Sequence, residues 1–277
     1  MTSTSNPGWN SFARTNASDR FRKQSAMMGS PLTELIVARS DIQPHLRVLD
    51  IASGTGEPAI SIADKLKGTG EVTATDISVE PLKIAEQRAQ QRGLKNIRLQ
   101  QADAHQLPFE DKQFDRVTCR LGLMFFANLP MALGEIHRVL KPGGRFTAVA
   151  WGPMQQPYFE STIGTVLQSC PGIAVPEGAQ SMFKFGEKGA LTHNLREVGF
   201  SKAQDELIDV DWTWHGSPEE LWDYFQAVTI PFAPLFKAIP EERRAEMNAA
   251  VIEVLRRLAR GGLLPFVGRF VLAEAIA

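Results

Sequence analysis

The chain has 277 residues, enough for one large domain or two small ones with a substantial buried core. Hydrophobic residues make up 43% and charged residues 22%, an ordinary globular mixture that excludes a disordered, collagen-like or low-complexity protein. The formal net charge of −1 supplies no field to attract nucleic acid or an anionic membrane, so we expect neither as a partner.

Cysteine usage and the absence of targeting signals predict a cytoplasmic protein. Cys119 and Cys170 are far apart and lack metal-ligand spacing, so we expect no disulfide scaffold. The first residues are polar and dotted with arginine, unlike a secretory signal. The longest uncharged run, residues 161–176, is too short to cross a bilayer.

The first part of the chain predicts a helical region followed by a strand, a tight turn and a helix. Residues 1–40 have helical character, with scattered large apolar side chains. Arg47–Ala52 is a short apolar run typical of a buried strand, and it ends in the glycine-rich turn Ser53–Gly56. Helical spacing of apolar residues follows from Pro58, which suits a first helical turn, to Leu66.

Strands and helices then continue to alternate. Further strands are predicted at Glu71–Thr75, Asn96–Gln100, Arg116–Arg120 and Arg145–Trp151, with helices at Pro81–Arg92 and Met131–Leu140 and a turn at Lys141–Gly144. This alternation predicts parallel strands joined by crossover helices, which is a doubly wound α/β sheet. After Trp151 it weakens into β character at Glu206–Trp214, helices at Pro218–Val228 and Pro240–Leu258, and a final apolar run at Phe266–Ala275.

The glycine-rich turn is compatible with two kinds of nucleotide-like ligand. Gly54–Ala59 satisfies the G-x-G-x-x-G/A fingerprint and Asp76 follows near the expected distance, so an NAD(P) oxidoreductase must be considered. Asp50 argues against it, because a carboxylate at the end of the first strand would lie where a pyrophosphate binds. A ligand with an ammonium and a sulfonium group, S-adenosylmethionine, fits that carboxylate better.

The run Val48–Glu57, VLDIASGTGE, resembles the first motif of class I S-adenosylmethionine-dependent methyltransferases, in the form found in the ubiquinone/menaquinone biosynthesis branch. Other stretches resemble the later motifs of this family and occur in the same order: Thr75–Ser78, Gln101–Ala104, Leu107–Phe109, Phe114–Val117 and Leu140–Arg145.

The resemblance implies S-adenosylmethionine as cofactor and a set of residues that hold it. Asp50 would serve the amino acid end, the turn would cradle the cofactor through its backbone, Asp76 would bind the ribose, and Asp103 with Ala104 the adenine. The cofactor-binding residues implied in this way are Asp50, Ala52, Ser53, Gly54, Thr55, Gly56, Asp76, Ile77, Asp103, Ala104 and Arg120.

The resemblance also implies a seven-stranded Rossmann-like sheet whose last strand is antiparallel, within a single domain. Residues 1–40 would form a helical cap, 41–204 the cofactor-binding core, and 205–277 the end of the sheet. A helical insertion at about 216–258, just before the last strand, would form a lid over the substrate.

Departures from the family pattern bear on the substrate. Ala52 stands where the first glycine is usual, and Arg120 and the string Leu123–Phe126 differ from the quinone enzymes, so a quinone substrate does not follow. Cys119–Met124 offers no acidic ligands, so no metal is expected. Aromatic residues and methionines, concentrated in the pieces outside the sheet, indicate a small, partly hydrophobic acceptor.

A general base is needed only if the attacking atom must lose a proton. His193 and His215, in the variable C-terminal half, are weak candidates for a catalytic role, whereas His105 is expected on the surface. The sequence leaves open C-, O- or N-methylation, monomer or homodimer, a different reaction on the same cofactor, a non-catalytic binding protein and, as a less favoured alternative, an NAD(P)-dependent oxidoreductase.

Overall fold

A computed structural model describes residues 20–277, so the predicted cap over residues 1–40 lies partly outside the described residues. Within them, seven strands form one sheet in the order β3-β2-β1-β4-β5-β7-β6. The strands are β1 Arg47–Ile51, β2 Glu71–Asp76, β3 Ile97–Gln101, β4 Phe114–Arg120, β5 Leu140–Trp151, β6 Ser201–Asp211 and β7 Val267–Ile276. The first five are parallel and β7 lies antiparallel between β5 and β6, which confirms the predicted fold.

The helices alternate with the strands in the first half of the fold and cluster between strands in the second. The longer ones are α1 Arg22–Arg39, α2 Ala59–Leu66, α3 Val79–Gln91, α4 Leu129–Val139, α5 Ala190–Glu197, α6 Pro218–Val228, α7 Ala233–Ala238 and α8 Glu241–Leu258. Shorter helical segments are Leu123–Phe125, Pro157–Phe159, Glu160–Gly164, Thr165–Ser169, Glu177–Gln180, Ser181–Phe183 and Ile230–Phe232. No helix among the described residues is both long and apolar enough to cross a membrane.

Strand β5 begins earlier than the sequence predicts, because the expected turn at Lys141–Gly144 lies inside it. Leu140 pairs with Phe114, and the register then shifts before Arg116 pairs with Arg145. Gly143 has a left-handed backbone with φ of 78°. The glycine therefore allows an irregularity within a continuous strand, whereas the glycine-rich sequence predicts a turn that precedes the strand.

The N-terminal helix is packed along the sheet and reaches the carboxyl ends of the strands. Its buried face includes Met28, Leu32 and Ile36. At its far end, Arg39 donates to Glu206 at 2.6 Å and to Glu274 at 3.1 Å, which ties α1 to β6 and β7. These contacts leave the first turns of α1 beside the ends of β1 and β4.

The strand order places a crevice at the carboxyl end of β1. From β1 the chain moves through β2 to β3 on one side, and then returns to β4 and β5 on the other. Such a reversal separates the two connecting loops, and open α/β sheets bind ligands at this point. The loops that follow β1, β2 and β4 are therefore expected to form the ligand-binding site.

Candidate active site

A cavity of about 830 Å³ lies at the carboxyl ends of the parallel strands, within the range of ligand-binding sites. Its walls have two different characters. We call the first the loop side, lined by Ala52–Thr55, Glu57, Asp76, Ile77, Asp103, Ala104, His105 and neighbouring arginines. We call the second the aromatic side, lined by Trp151, Tyr158, Phe159, Met182, Trp212, Tyr224 and Val228.

The loop after β1 turns tightly because two glycines adopt left-handed backbone conformations. Gly54 has φ of 53° and Gly56 has φ of 109°. A Cβ atom on Gly56 would lie 2.5 Å from Cδ1 of Ile60, whereas one on Gly54 would meet nothing within 4 Å. Ser53 anchors the loop by donating its backbone N–H to the carbonyl of Thr75 at 2.9 Å. Ser53, Gly54 and Thr55 therefore form one wall of the cavity, whereas Gly56 packs against Ile60 and is not among the lining residues.

Ala52 is accommodated by a glycine that is distant in sequence. Its φ of 56° is in the region that favours glycine, which explains why glycine is usual there. A Cβ atom on Gly122 would lie only 2.6 Å from Cβ of Ala52. The missing side chain at Gly122 thus provides the room for the methyl group of Ala52, a pairing that no sequence motif indicated.

Asp50 lies beneath the loop and not among the residues that line the cavity. It is fully buried, and its Oδ1 accepts a hydrogen bond from Thr118 at 2.6 Å. Its Oδ2 is buried and has no hydrogen-bond partner among the described residues. Burial is the main cause that raises the pKa of Asp50 to about 7. A positive charge bound in the cavity above it would favour its ionised form.

Asp76 ends β2 on the cavity wall, and backbone groups fix both of its oxygens. Oδ2 accepts the N–H of Gly54 and Oδ1 accepts that of Ser78, each at 2.9 Å. Each carboxylate oxygen can accept a second hydrogen bond. Asp76 can therefore receive two hydroxyl groups from a ligand, and the exposed side chain of Ile77 lies next to it.

His105 lines the cavity instead of lying on the surface, because a polar network holds its ring there. Its Nδ1 lies 2.6 Å from Oδ1 of Asp103, and its Nε2 is 3.1 Å from the backbone N–H of Asn128. Partial burial acts to raise the pKa of Asp103, but hydrogen bonds from His105 hold it below its ordinary value. Since both ring nitrogens are engaged, His105 fixes Asp103 in place beside buried Ala104 and has no free nitrogen to act as a base.

Arg120 connects the end of β4 to the N-terminal helix across the cavity. Its guanidinium donates to the carbonyl of Gly29 at 3.3 Å, and its buried Nε has no hydrogen-bond partner among the described residues. Burial lowers the pKa of Arg120, while nearby Glu57 and Asp50 favour its charged form. A second arginine, Arg88, donates to the carbonyl of Thr55 at 2.6 Å and so braces the loop from α3.

The aromatic side consists of rings that pack on one another. The Trp151 ring stacks on Phe270 with centroids 4.5 Å apart, and Trp212 meets it edge to face at 5.3 Å. Tyr158 lies nearly parallel to Trp151 at 6.1 Å. Such a set presents a rigid, apolar surface with few adjustable torsions.

Known proteins resemble this chain in sequence and in fold. Residues 42–175 match the family model described as a methyltransferase domain. The ubiquinone/menaquinone biosynthesis C-methyltransferase of Bartonella tribocorum is 32% identical over 170 residues, which cover 57% of this chain and 65% of that protein. Residues 42–175 are therefore similar to a methyltransferase domain, and the curated relatives that share this similarity include C-methyltransferases of quinone biosynthesis.

Two further matches extend over more of the chain. An uncharacterised protein of Mycobacterium bovis is 29% identical over 238 residues, which cover 85% of this chain and 83% of that protein. The YcgJ protein of Bacillus subtilis has the same fold, with a TM-score of 0.57 and 21% identity, and the match covers 88% of this chain and 97% of that one. By contrast, the chain spans 65% of the length of the Bartonella relative.

Neither of the two weak catalytic candidates, His193 and His215, lies on the cavity wall. His193 is exposed on α5 and His215 is half-buried after β6, and neither is among the lining residues. Cys119 is buried, and burial raises the pKa of its thiol, as expected for a packing residue. Within residues 20–277, no group of three or more His, Cys, Asp or Glu side chains is arranged to hold a metal ion.

Proposed function

We propose that the protein transfers a methyl group from S-adenosylmethionine to a small, partly hydrophobic organic acceptor. The observation that carries this proposal is a single cavity in which the loop side faces an aromatic side. Similarity to methyltransferases supports the methyl donor, and the aromatic side supports an acceptor with an apolar surface. Quinone biosynthesis belongs to the name of the Bartonella relative, and for this chain we propose the broader class.

The residues present fit the proposed cofactor. Gly54 offers a surface free of side-chain atoms beside the loop, and the unpartnered Oδ2 of Asp50 lies below it. A cationic amino acid end and sulfonium would supply the positive charge that this buried carboxylate lacks. We assign Asp76 to the ribose hydroxyls, and Asp103 with Ala104 to the adenine.

When bound, S-adenosylmethionine supplies a sulfonium methyl group, whose bond to sulfur breaks as a bond to the acceptor forms, with the electron pair remaining on sulfur. The protein's task is to orient the acceptor and to exclude water, and positioning of this kind can contribute about 7–11 kcal/mol to a rate. We propose that α1 and the insertion at about 216–258 provide the cover. Met28 of α1 and Tyr224 of α6 both line the cavity, in agreement with this role.

The proposed cellular site is the cytoplasm. Both cysteines are buried and unpaired, which fits a reducing compartment. We propose that the protein acts there on a small molecule without a nucleic-acid or membrane partner and without a metal.

Cofactor binding is tested by titration calorimetry with S-adenosylmethionine, S-adenosylhomocysteine and NADPH in separate experiments. We expect both adenosyl ligands to bind and NADPH to give no heat. Asp76→Asn should weaken both by about tenfold or more, since a charged hydrogen-bond partner is lost. Asp64→Asn, an exposed change on α2, is the matched control and should leave both affinities unchanged. Binding of NADPH alone would overturn the proposal.

Methyl transfer is tested by incubating the protein with pooled small-molecule extracts and either ordinary or trideuteromethyl S-adenosylmethionine. Mass spectrometry should show products that appear with both donors and differ by the mass of three deuterium substitutions. A heat-inactivated sample is the control. Cofactor binding with no labelled product across oxygenated aromatic and apolar extracts would contradict transfer to the proposed acceptor class.

A further inference from the structure

The polar groups of the aromatic side include the Tyr158 hydroxyl and the Trp212 indole N–H, and both belong to rings that are packed in place. Tyr158 is 4% exposed and is held between Trp151, Phe225 at 5.5 Å and Phe266 at 5.4 Å between centroids. Trp212 is 5% exposed, and its backbone N–H donates to the carbonyl of Phe266 at 2.9 Å. Both side chains line the cavity. Their polar atoms therefore have fixed positions in a largely apolar wall.

The indole Nε1 of Trp212 is buried and has no hydrogen-bond partner among the described residues. The Trp212 and Tyr158 rings lie edge to face with centroids 6.4 Å apart, and burial raises the pKa of the Tyr158 hydroxyl. A buried donor without a partner is costly, and natural structures rarely keep one without a use.

Hydrogen-bonding capacity decides what each group can do. The indole N–H can only donate, whereas a phenol can donate one hydrogen bond and accept others. The Trp212 indole lies edge to face with the Tyr158 ring and can only donate, so it offers no acceptor to the phenol proton, which is left to point toward a ligand. Burial keeps this phenol protonated, so it serves as a donor and not as a base.

The surroundings favour a neutral partner over an anion. The residues that define the aromatic side are uncharged. Arg120 lines the same cavity and interacts with Tyr224, but its charge is also shared with Glu57 and Asp50. A carboxylate or phosphate placed against the rings would therefore lose its hydration and gain little counter-charge. A carbonyl, ether or hydroxyl oxygen would lose less and would gain the phenol hydrogen bond.

We propose that Tyr158, positioned by Trp212, donates a hydrogen bond to a neutral oxygen of the methyl acceptor. The acceptor is thus an oxygenated aromatic or apolar molecule, and neither a plain hydrocarbon nor an anion bound at this wall. The proposal rests on the proposed function, since it identifies the aromatic side with the acceptor.

The test compares two probes that share one bicyclic skeleton and differ by a carbonyl group, 1-tetralone and tetralin. Dissociation constants are measured by tryptophan fluorescence with the protein saturated by S-adenosylhomocysteine. We expect wild-type protein to bind 1-tetralone about fivefold more tightly than tetralin, the usual gain from one neutral hydrogen bond. A third probe, 2-naphthoate, should bind more weakly than 1-tetralone.

Three variants locate the source of this preference. Tyr158→Phe should bind both probes equally, with the affinity for tetralin unchanged, and Trp212→Phe should reduce the ratio. Tyr224→Phe removes the protein's other tyrosine hydroxyl from the same cavity and should keep the ratio. Equal binding of the two probes to wild-type protein, binding of neither, tighter binding of 2-naphthoate, or a full ratio in Tyr158→Phe would each overturn the proposal.

Titration with S-adenosylhomocysteine separates this inference from the proposed function. Every variant should bind it with wild-type affinity, which also shows that the variant is folded. Intact binding of S-adenosylhomocysteine with no preference between the probes refutes the role of Tyr158 and leaves the cofactor assignment standing. Failure of wild-type protein to bind S-adenosylhomocysteine refutes the proposed function itself.

Discussion

The loop side and the aromatic side of the cavity are built in different ways. The loop side comes from the ends of neighbouring strands, where short sequence runs place backbone N–H groups and carboxylates at fixed positions. The aromatic side collects rings from β5, the segment after it, the end of β6 and α6, with no shared motif. The first arrangement specifies a ligand through polar geometry, and the second specifies one through shape and a few polar atoms.

This difference has an energetic counterpart. On the loop side, Asp50 is buried with an unpartnered oxygen and Ala52 adopts a left-handed backbone conformation. On the aromatic side, the rings pack as a core would and carry the stability of the region. On the loop side, a buried carboxyl group and a strained backbone conformation therefore lower the stability of the fold. Substitutions there should change the free energy of unfolding and the cofactor affinity together.

The largest expected effect concerns the charge of Asp50. Its pKa is raised to about 7 in the folded protein, so the folded state keeps a proton that the unfolded chain loses near pH 4. Asp50 therefore contributes up to about 4 kcal/mol to the free energy of unfolding below about pH 4, and this contribution is lost as the pH rises through about 7. Urea unfolding of wild-type protein and Asp50→Asn at pH 5 and pH 8.5 should show a difference that grows with pH.

Bound cofactor sharpens this prediction. If the ligand's positive charge ionises Asp50, binding near pH 6.5 should release protons, which calorimetry in buffers of different ionisation enthalpy detects. Asp50→Asn should release fewer. The same pH dependence of stability in wild-type and variant protein would show that Asp50 is not the titrating group.

Substitutions at Gly56 and Gly54 separate the effect of backbone strain from the effect of a steric clash. Both have positive φ, but only a side chain at Gly56 would collide with Ile60. Gly56→Ala should therefore lower the free energy of unfolding by about 3 kcal/mol, and Gly54→Ala by about 1 kcal/mol. Chemical denaturation measures both. Equal losses would mean that backbone conformation alone, and not packing against α2, requires the glycine.

Much of this fold and one half of the site could be predicted from the sequence because their signals are local. The alternation of apolar runs and turns indicated the parallel strands, and the loop after β1 carries a compact motif. The bulge at Gly143 was missed because a glycine-rich stretch also predicts a turn. Trp212 and Tyr158 converge only through the sheet order, and His105 lies on the wall only because Asn128 holds it there.

The contact between Ala52 and Gly122 gives a paired test on the loop side. Gly122→Ala would place a methyl group within 2.6 Å of Cβ of Ala52 and 2.8 Å of Sγ of Cys119. We expect it to cost about 2 kcal/mol of stability, as overpacking does. Adding Ala52→Gly removes one of the two clashes, so the double variant should recover about 1 kcal/mol in a double-mutant cycle. Strict additivity would contradict the proposed compensation.

The smallest effect on stability is expected at the rim of the aromatic side. Val228, the last residue of α6, is half-buried and lines the cavity. Val228→Ala should change the free energy of unfolding by less than about 1 kcal/mol, because a half-buried side chain loses little transfer free energy. Affinity for S-adenosylhomocysteine should stay within about twofold, while the range of accepted acceptors should widen toward larger molecules. Val267→Ala, at an exposed position on β7 away from the cavity, is the matched control for both measurements. A loss of cofactor affinity in Val228→Ala, and not in the control, would show that the two sides of the cavity are coupled through α6. The loop side and the aromatic side would then not bind their ligands independently.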